Sequence, residues 1–157
     1  MTAPQQQRKE EAEALRLGVI AGLVTVADAV AWADDVIMAD ARPDAAILDV
    51  SLAGKKPVFE VAKLLGEVRG PLDSERASRR LLGRMLRLLD DDPRRGNELA
   101  VALYRLARNG ALPDDRFGME PYRLDDEFEL ERQGMYDLDL RLSAIDALRR
   151  YLLQHAL

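Results

Sequence analysis

The chain has 157 residues, 48% of them apolar and 32% charged, with a net charge of −5 and no cysteine. That length can bury a core without covalent staples, and the composition is that of a folded chain rather than a disordered or fibrous one. The missing cysteines exclude disulfides, thiol catalysis and thiolate-ligated metals.

Helix follows helix along the chain. Ile, Thr, Tyr and Phe are scarce and strict apolar–polar alternation is nearly absent, so strands are not expected. Residues 1–9 are polar and are read as a flexible N-terminus. A first helix is expected from about Glu10 to Ala21, with Leu15, Val19 and Ile20 inward. Gly22 supplies a left-handed stop, and Leu23 and Val24 can fold back on the last turn. Thr25, with Asp28 three residues on, makes a capping box for a second helix. Val26, Ala29, Val30, Ala33, Val36 and Ile37 form that helix's apolar face, with Trp32, the single tryptophan, at its border. Trp32 fits a core-edge side chain, with a partner anchor as the alternative.

Arg42-Pro43 breaks the second helix, because the residue before proline avoids the helical region. Pro43 opens a short third helix carrying Ile47, Leu48 and Leu52, closed by Gly54. Pro57 opens a fourth with Val58, Val61, Leu64 and Leu65 inside and Gly70 as its stop. After the turn Pro71-Leu72-Asp73-Ser74, the fifth helix, Glu75 to Leu89, shows the clearest stripe: Ala77, Leu81, Met85 and Leu88, widened by Leu82 and Leu89. Asp92 is expected to cap a sixth helix that begins at Pro93 and ends at Asn109-Gly110, with Leu99, Ala102, Leu103 and Leu106 inward. Residues 110–121 form the longest loop. A charged seventh helix is expected from about Pro121 to Arg132, stopped by Gly134. The last runs from about Leu138 to Gln154, with Leu138, Leu142, Ile145, Leu148 and Leu152 on one face. The stretch from Tyr136 to Ser143 also alternates like a strand, but the helical period fits better. The expected fold is therefore all-α: a single-domain, irregular bundle of about seven helices over residues 10–157.

Charge is unevenly spread. Residues 1–54 sum to −5, residues 55–108 to +5 and residues 109–157 to −5. Two features account for most of this. Arg76, Arg80, Arg84 and Arg87 are spaced to line one side of the fifth helix, where guanidinium forks could face phosphates or carboxylates. From Glu120 to Asp139, acids crowd against two arginines with aromatics interleaved, and Asp125, Asp126, Glu127, Glu129, Tyr122 and Tyr136 form a candidate docking surface for a basic protein. The bland reading of both features is a solvated face, or pairing of the stripe with the acidic segment.

Chemistry-bearing motifs are few. Doublets such as Asp34/Asp35, Asp114/Asp115 and Asp125/Asp126 point in different directions on a helix and are not dyads by themselves. His155, the single histidine, lies near the last residue and is expected to be mobile. There is no glycine-rich phosphate loop and no two-histidine metal set. No catalytic residue, cofactor or metal is assigned, and an enzyme is not expected.

The run Gly22-Leu23-Val24-Thr25, with Asp28, Ala29, Val30, Trp32, Ala33 and Asp34, and the run Ile47-Leu48-Asp49-Val50-Ser51-Leu52-Ala53 resemble small helical bacterial proteins of unassigned role. Phe128-Glu129-Leu130 followed by Gly134-Met135-Tyr136 before a terminal helix fits the same picture. Some of those proteins look like immunity proteins of contact-dependent and other polymorphic toxin systems. The resemblance implies a helical fold and a protein partner, and it carries no functional residue. The expected function is a non-enzymatic interaction protein, of immunity or adaptor type, whose acidic surface covers a basic partner. The alternative is a regulator that binds nucleic acid or a phosphorylated ligand through Arg76–Arg87. Nucleic acid is the less favoured partner, since stacking aromatics are missing beside the arginines. Self-association is left open. Arg8 to Glu13 interrupt the start before any apolar run, so no leader is expected. Leu17 to Val36 is too broken to span a membrane, and the cytoplasm is the expected compartment.

Overall fold

In the computed structural model, residues 3–112, 119–134 and 138–157 are described, and every regular element among them is helical. Among the described residues are eight α-helices: α1 (Ala3–Ile20), α2 (Val26–Ala39), α3 (Ala45–Ser51), α4 (Val58–Gly66), α5 (Ser74–Asp91), α6 (Gly96–Arg108), α7 (Met119–Arg132) and α8 (Leu138–His155). Pro93–Arg95 form a 3-10 turn that leads into α6. The chain divides into two compact units, one up to Ala77 and one from Ser78 onward, and α5 runs from the first into the second.

In the first unit, α1 packs on α4, and α3 touches both α2 and α4. The α1–α2 corner follows from its residues. Gly22 adopts φ +78°, which a β-carbon would oppose, and the Leu23 and Val24 amides both donate to the Gly18 carbonyl as the two side chains bury. Thr25 Oγ1 accepts from the Asp28 amide at 3.1 Å while Asp28 accepts from the Thr25 amide at 3.0 Å, completing the reciprocal cap. The core of this unit is Ala12, Leu15, Val19, Ala29, Ala33, Ile47, Val50, Val61 and Leu65.

Two differences from the sequence reading share a cause. Helix α1 starts at Ala3, well before Glu10, and it buries Lys9, Glu10 and Glu13. The polar residues are tied down: Gln7 bonds Glu11 one turn on, Arg8 pairs with Asp40 of the α2 C-cap at 2.5 Å, and Lys9 Nζ donates to the Gly66 carbonyl at 2.9 Å. A buried charge with a partner is far less costly than one without. The close approach of α1 to the link after α4 depends on Gly70. Its φ is +139°, and a β-carbon there would lie 2.8 Å from the Gln5 carbonyl oxygen and 2.9 Å from Lys9 Cβ.

In the second unit, α7 packs on α6 and on α8, and α6 also touches α8. Asp92 caps the 3-10 turn by accepting from the Arg94 amide at 3.1 Å, so one tight turn precedes α6 rather than the helix opening directly at Pro93. Leu99, Ala102, Leu103 and Leu106 are all buried as their spacing implies. Gly96 touches the core so closely that a β-carbon would meet the Phe128 ring at 3.1 Å. Gly110 (φ +70°) and Gly134 (φ +80°) end α6 and the stretch after α7. Residues 138–143 are helical, which settles the strand alternative for that stretch.

Several apolar side chains that the sequence places on these helices, with Ile20, Val58 and Leu142 expected inward, are outward. Ile20, Leu48, Val58 and Leu142 are about half exposed, and Leu52 is 82% exposed because it sits on the C-cap beyond α3. In α3 the buried set is Ala46, Ile47 and Val50, so the helix is rotated away from the Leu48–Leu52 edge. His155, expected to be mobile, closes α8 at 3% exposure, its ring 4.6 Å from that of Tyr151.

Candidate functional site

Helix α7 carries most of the described part of the acidic segment. Pro121, Leu124 and Phe128 are buried, and Tyr122 meets the Tyr104 ring edge-on at 5.2 Å. That geometry is worth about 0.5–1.5 kcal/mol beyond area burial. Both aromatics of the described part of the acidic segment thus have an inward role, and Tyr122 remains partly accessible. Tyr136, Met135 and Asp137 lie outside the described residues, as do Asp114 and Asp115.

The acids of α7 are sorted by the helix's own arginines. Arg132 reaches the Asp125 carboxylate at 2.8 Å, Glu129 at 2.6 Å and Asn97 Oδ1 at 2.6 Å. Arg123 pairs with Glu120 at 2.6 Å. Asp126 and Glu127 have no hydrogen bond or ion pair among the described residues; Asp126 is exposed and Glu127 half-buried. Leu130, one turn on from Asp126, is partly exposed. The accessible side of α7 is therefore a short acidic strip with an apolar side chain beside it. Asp125 and Glu129, placed by sequence in the same surface, act first as the cage of Arg132.

The arginine stripe is used differently. Arg76 Nε donates to Glu10 at 3.0 Å, and that carboxylate is nearly fully buried on α1. Arg79 Nη1 donates to the His155 carbonyl at 3.0 Å, and the Leu157 amide donates to the Arg79 carbonyl at 3.1 Å, so this end of α5 holds the end of α8. Arg80 and Arg84 are half-buried. Arg87 is exposed and has no ion pair among the described residues. Internal pairing, one of the two readings of the charge pattern, accounts for Arg76, but the acid comes from α1.

Tyr151, buried on α8, has its phenol pushed up to about 12 by burial and by the nearby Glu120 charge, against the opposing pull of Arg79. Trp32 is half-buried and donates from Nε1 to Glu11 at 3.0 Å, as suits a ring at the edge of a core. Of the acidic doublets, Asp34 accepts from the Ser51 hydroxyl. Among the described residues, no three acids or histidines gather closely enough to hold a metal ion, and no helix is long and apolar enough to cross a membrane.

One accessible surface gave no sequence signal. Ile20, Phe59 and Leu72 line a groove on the first unit between α1 and α4, rimmed by Lys63 and Arg16, and Phe59 is 72% exposed. A periodic apolar residue reads as core in a sequence; only the rotation of the helix shows otherwise. No family model, no curated protein and no solved structure matches the chain significantly.

Proposed function

We propose that the chain is a non-enzymatic interaction protein that docks a basic protein partner on the outer face of α7, in the manner of an immunity or adaptor protein. The observation that carries this reading is the split among the α7 acids. Arg132 takes Asp125 and Glu129, while Asp126 and Glu127 have no ion pair among the described residues and lie near the partly exposed Leu130. Unpaired surface acids raise association rates with a basic partner, and an adjacent apolar side chain supplies contact area. Covering a basic active site in this way requires no chemistry from the chain itself. The exposed apolar side chains around Phe59 add surface of a kind that partners commonly cover. A phosphate-reading role for the Arg76–Arg87 stripe is less favoured, because Arg76 and Arg79 are already committed to Glu10 and to the His155 carbonyl.

Affinity capture from the native host tests the proposal. Wild-type chain and an Asp126→Lys/Glu127→Lys variant serve as baits, and thermal unfolding checks that the variant folds. A basic protein retained by the wild type and lost from the variant is the expected result. A partner held equally by both baits removes α7 from the proposal.

A further inference from the structure

The first unit holds a cleft of about 540 Å³ where the start of α1, the turn between α2 and α3, and the link after α4 come together. That volume is in the range of small-molecule sites. Three arginines from these three segments line it: Arg8, Arg42 and Arg69. Two acids line it too, Asp40 and Asp44, and all four of their oxygens are occupied. Asp40 accepts from the Arg42 amide at 2.9 Å and from Arg8 Nη1 at 2.5 Å. Asp44 accepts from the Ala46 amide at 3.2 Å and from the Arg69 amide at 2.7 Å. The Arg42 amide, and after it Arg8, hold the Asp40 carboxyl below the usual carboxylate range.

The carboxylates are thus spent on the backbone and on Arg8, tying the three segments to one another. The Arg42 and Arg69 guanidinium groups are left with no hydrogen bond or ion pair among the described residues. Two such groups beside one cleft suit a dianion better than a single carboxylate, since guanidinium forks match phosphate oxygens in pairs. Ala39, Pro43 and Ala45 give the same cleft an apolar wall. The position of Arg69 is fixed from its other side by Gly70, whose missing β-carbon lets α1 close against the link.

We propose that this cleft binds a small organic phosphate, with Arg42 and Arg69 on the phosphoryl oxygens and the Ala39–Ala45 wall against the organic part. Neither α7 nor any protein partner is involved, so the site stands or falls independently of the proposed docking role.

Calorimetric titration of the full chain tests it, with phenyl phosphate, inorganic phosphate and phenol as probes. Phenyl phosphate is expected to bind saturably and more tightly than inorganic phosphate, and phenol to give no saturable heat. Replacing both arginines (Arg42→Ala with Arg69→Ala) should weaken phenyl phosphate at least about tenfold, the loss of roughly one charged contact. Removing the same charge from the exposed end of α6 (Arg105→Ala with Arg108→Ala) should change it less than about twofold. Amide shift mapping on the wild type needs no variant, and perturbations confined to residues 5–8, 39–47 and 68–70 are expected. No saturable phenyl phosphate binding at millimolar concentration overturns the proposal. Equal weakening in the two double variants, or shifts centred elsewhere, does the same, and inorganic phosphate binding as tightly as phenyl phosphate overturns the organic ligand.

Discussion

Replacing Gly70 by alanine should be among the most damaging single-methyl additions to the first unit. The added β-carbon would sit 2.8 Å from the Gln5 carbonyl oxygen and 2.9 Å from Lys9 Cβ. Ordinary carbon contacts lie near 3.5–4.0 Å, and both neighbours belong to the body of α1, so no flexible side-chain end can swing aside. Relief requires α1 to move away from the link, which strains the bond from Lys9 to the Gly66 carbonyl. The backbone adds a second cost, because φ +139° is open almost only to glycine, at about 1–3 kcal/mol. Overpacking of a tight contact costs about 1–3 kcal/mol more, for a sum of roughly 2–6 kcal/mol. Gly22→Ala is the control in the same unit. Its φ is +78° and nothing lies within 4 Å of the new β-carbon, so only the left-handed penalty of about 1–2 kcal/mol applies. Urea denaturation followed by circular dichroism reads the difference. With m near 2 kcal/mol/M, Gly70→Ala should fall about 1 M below Gly22→Ala in midpoint. Coincident midpoints would refute the argument that α1 and the link are in tight contact.

Other expectations follow from the same geometry. Glu10 and Arg76 should show a coupling of about 1–2 kcal/mol in a double-mutant cycle built from Glu10→Gln and Arg76→Ala, since one partner is buried and the other half exposed; a coupling near zero in denaturation would contradict the pair. Thr25→Ala should cost about 1 kcal/mol through loss of the reciprocal cap on α2, and an unchanged denaturation midpoint would rule the cap out as a stabiliser. Tyr151 should ionise near its raised value of about 12 in an ultraviolet titration. Its folded pKa lies above the unfolded value of about 10, so the unfolded chain loses that proton first; stability linked to this group is full below about pH 10 and falls as pH rises towards 12. Tyr151→Phe should remove that component of the pH dependence, and an unaltered profile would show that the phenol is not its source.

What the sequence revealed was mostly local. The Thr25–Asp28 cap, the Gly22 stop, the Asp92 cap and the buried face of α6 are each decided by residues within about a turn of one another. Which side of a short or marginal helix is covered depends on distant neighbours. Leu48, Leu52, Val58 and Leu142 carry the right period and still face out. The same holds for charge. Sequence spacing places Arg76 on a stripe, but its partner Glu10 lies 66 residues away, and the burial of Lys9 follows from a carbonyl 57 residues off. In α7 the composition marks an acidic surface, whereas only the geometry of Arg132 separates Asp125 and Glu129, already held, from Asp126 and Glu127. The Arg42–Arg69 cleft gave no sequence signal, because it is assembled from three segments that share no motif.

If α7 draws a basic partner by charge, as proposed, the association rate with the captured partner should depend on that charge. Stopped-flow mixing at several salt concentrations would compare the wild type with the Asp126→Lys/Glu127→Lys variant, which leaves the Arg132 cage intact. The wild-type rate should fall steeply with salt, and the variant should associate at least about tenfold more slowly at low salt while remaining folded. Equal rates for the two chains, or a wild-type rate indifferent to salt, would contradict the proposal.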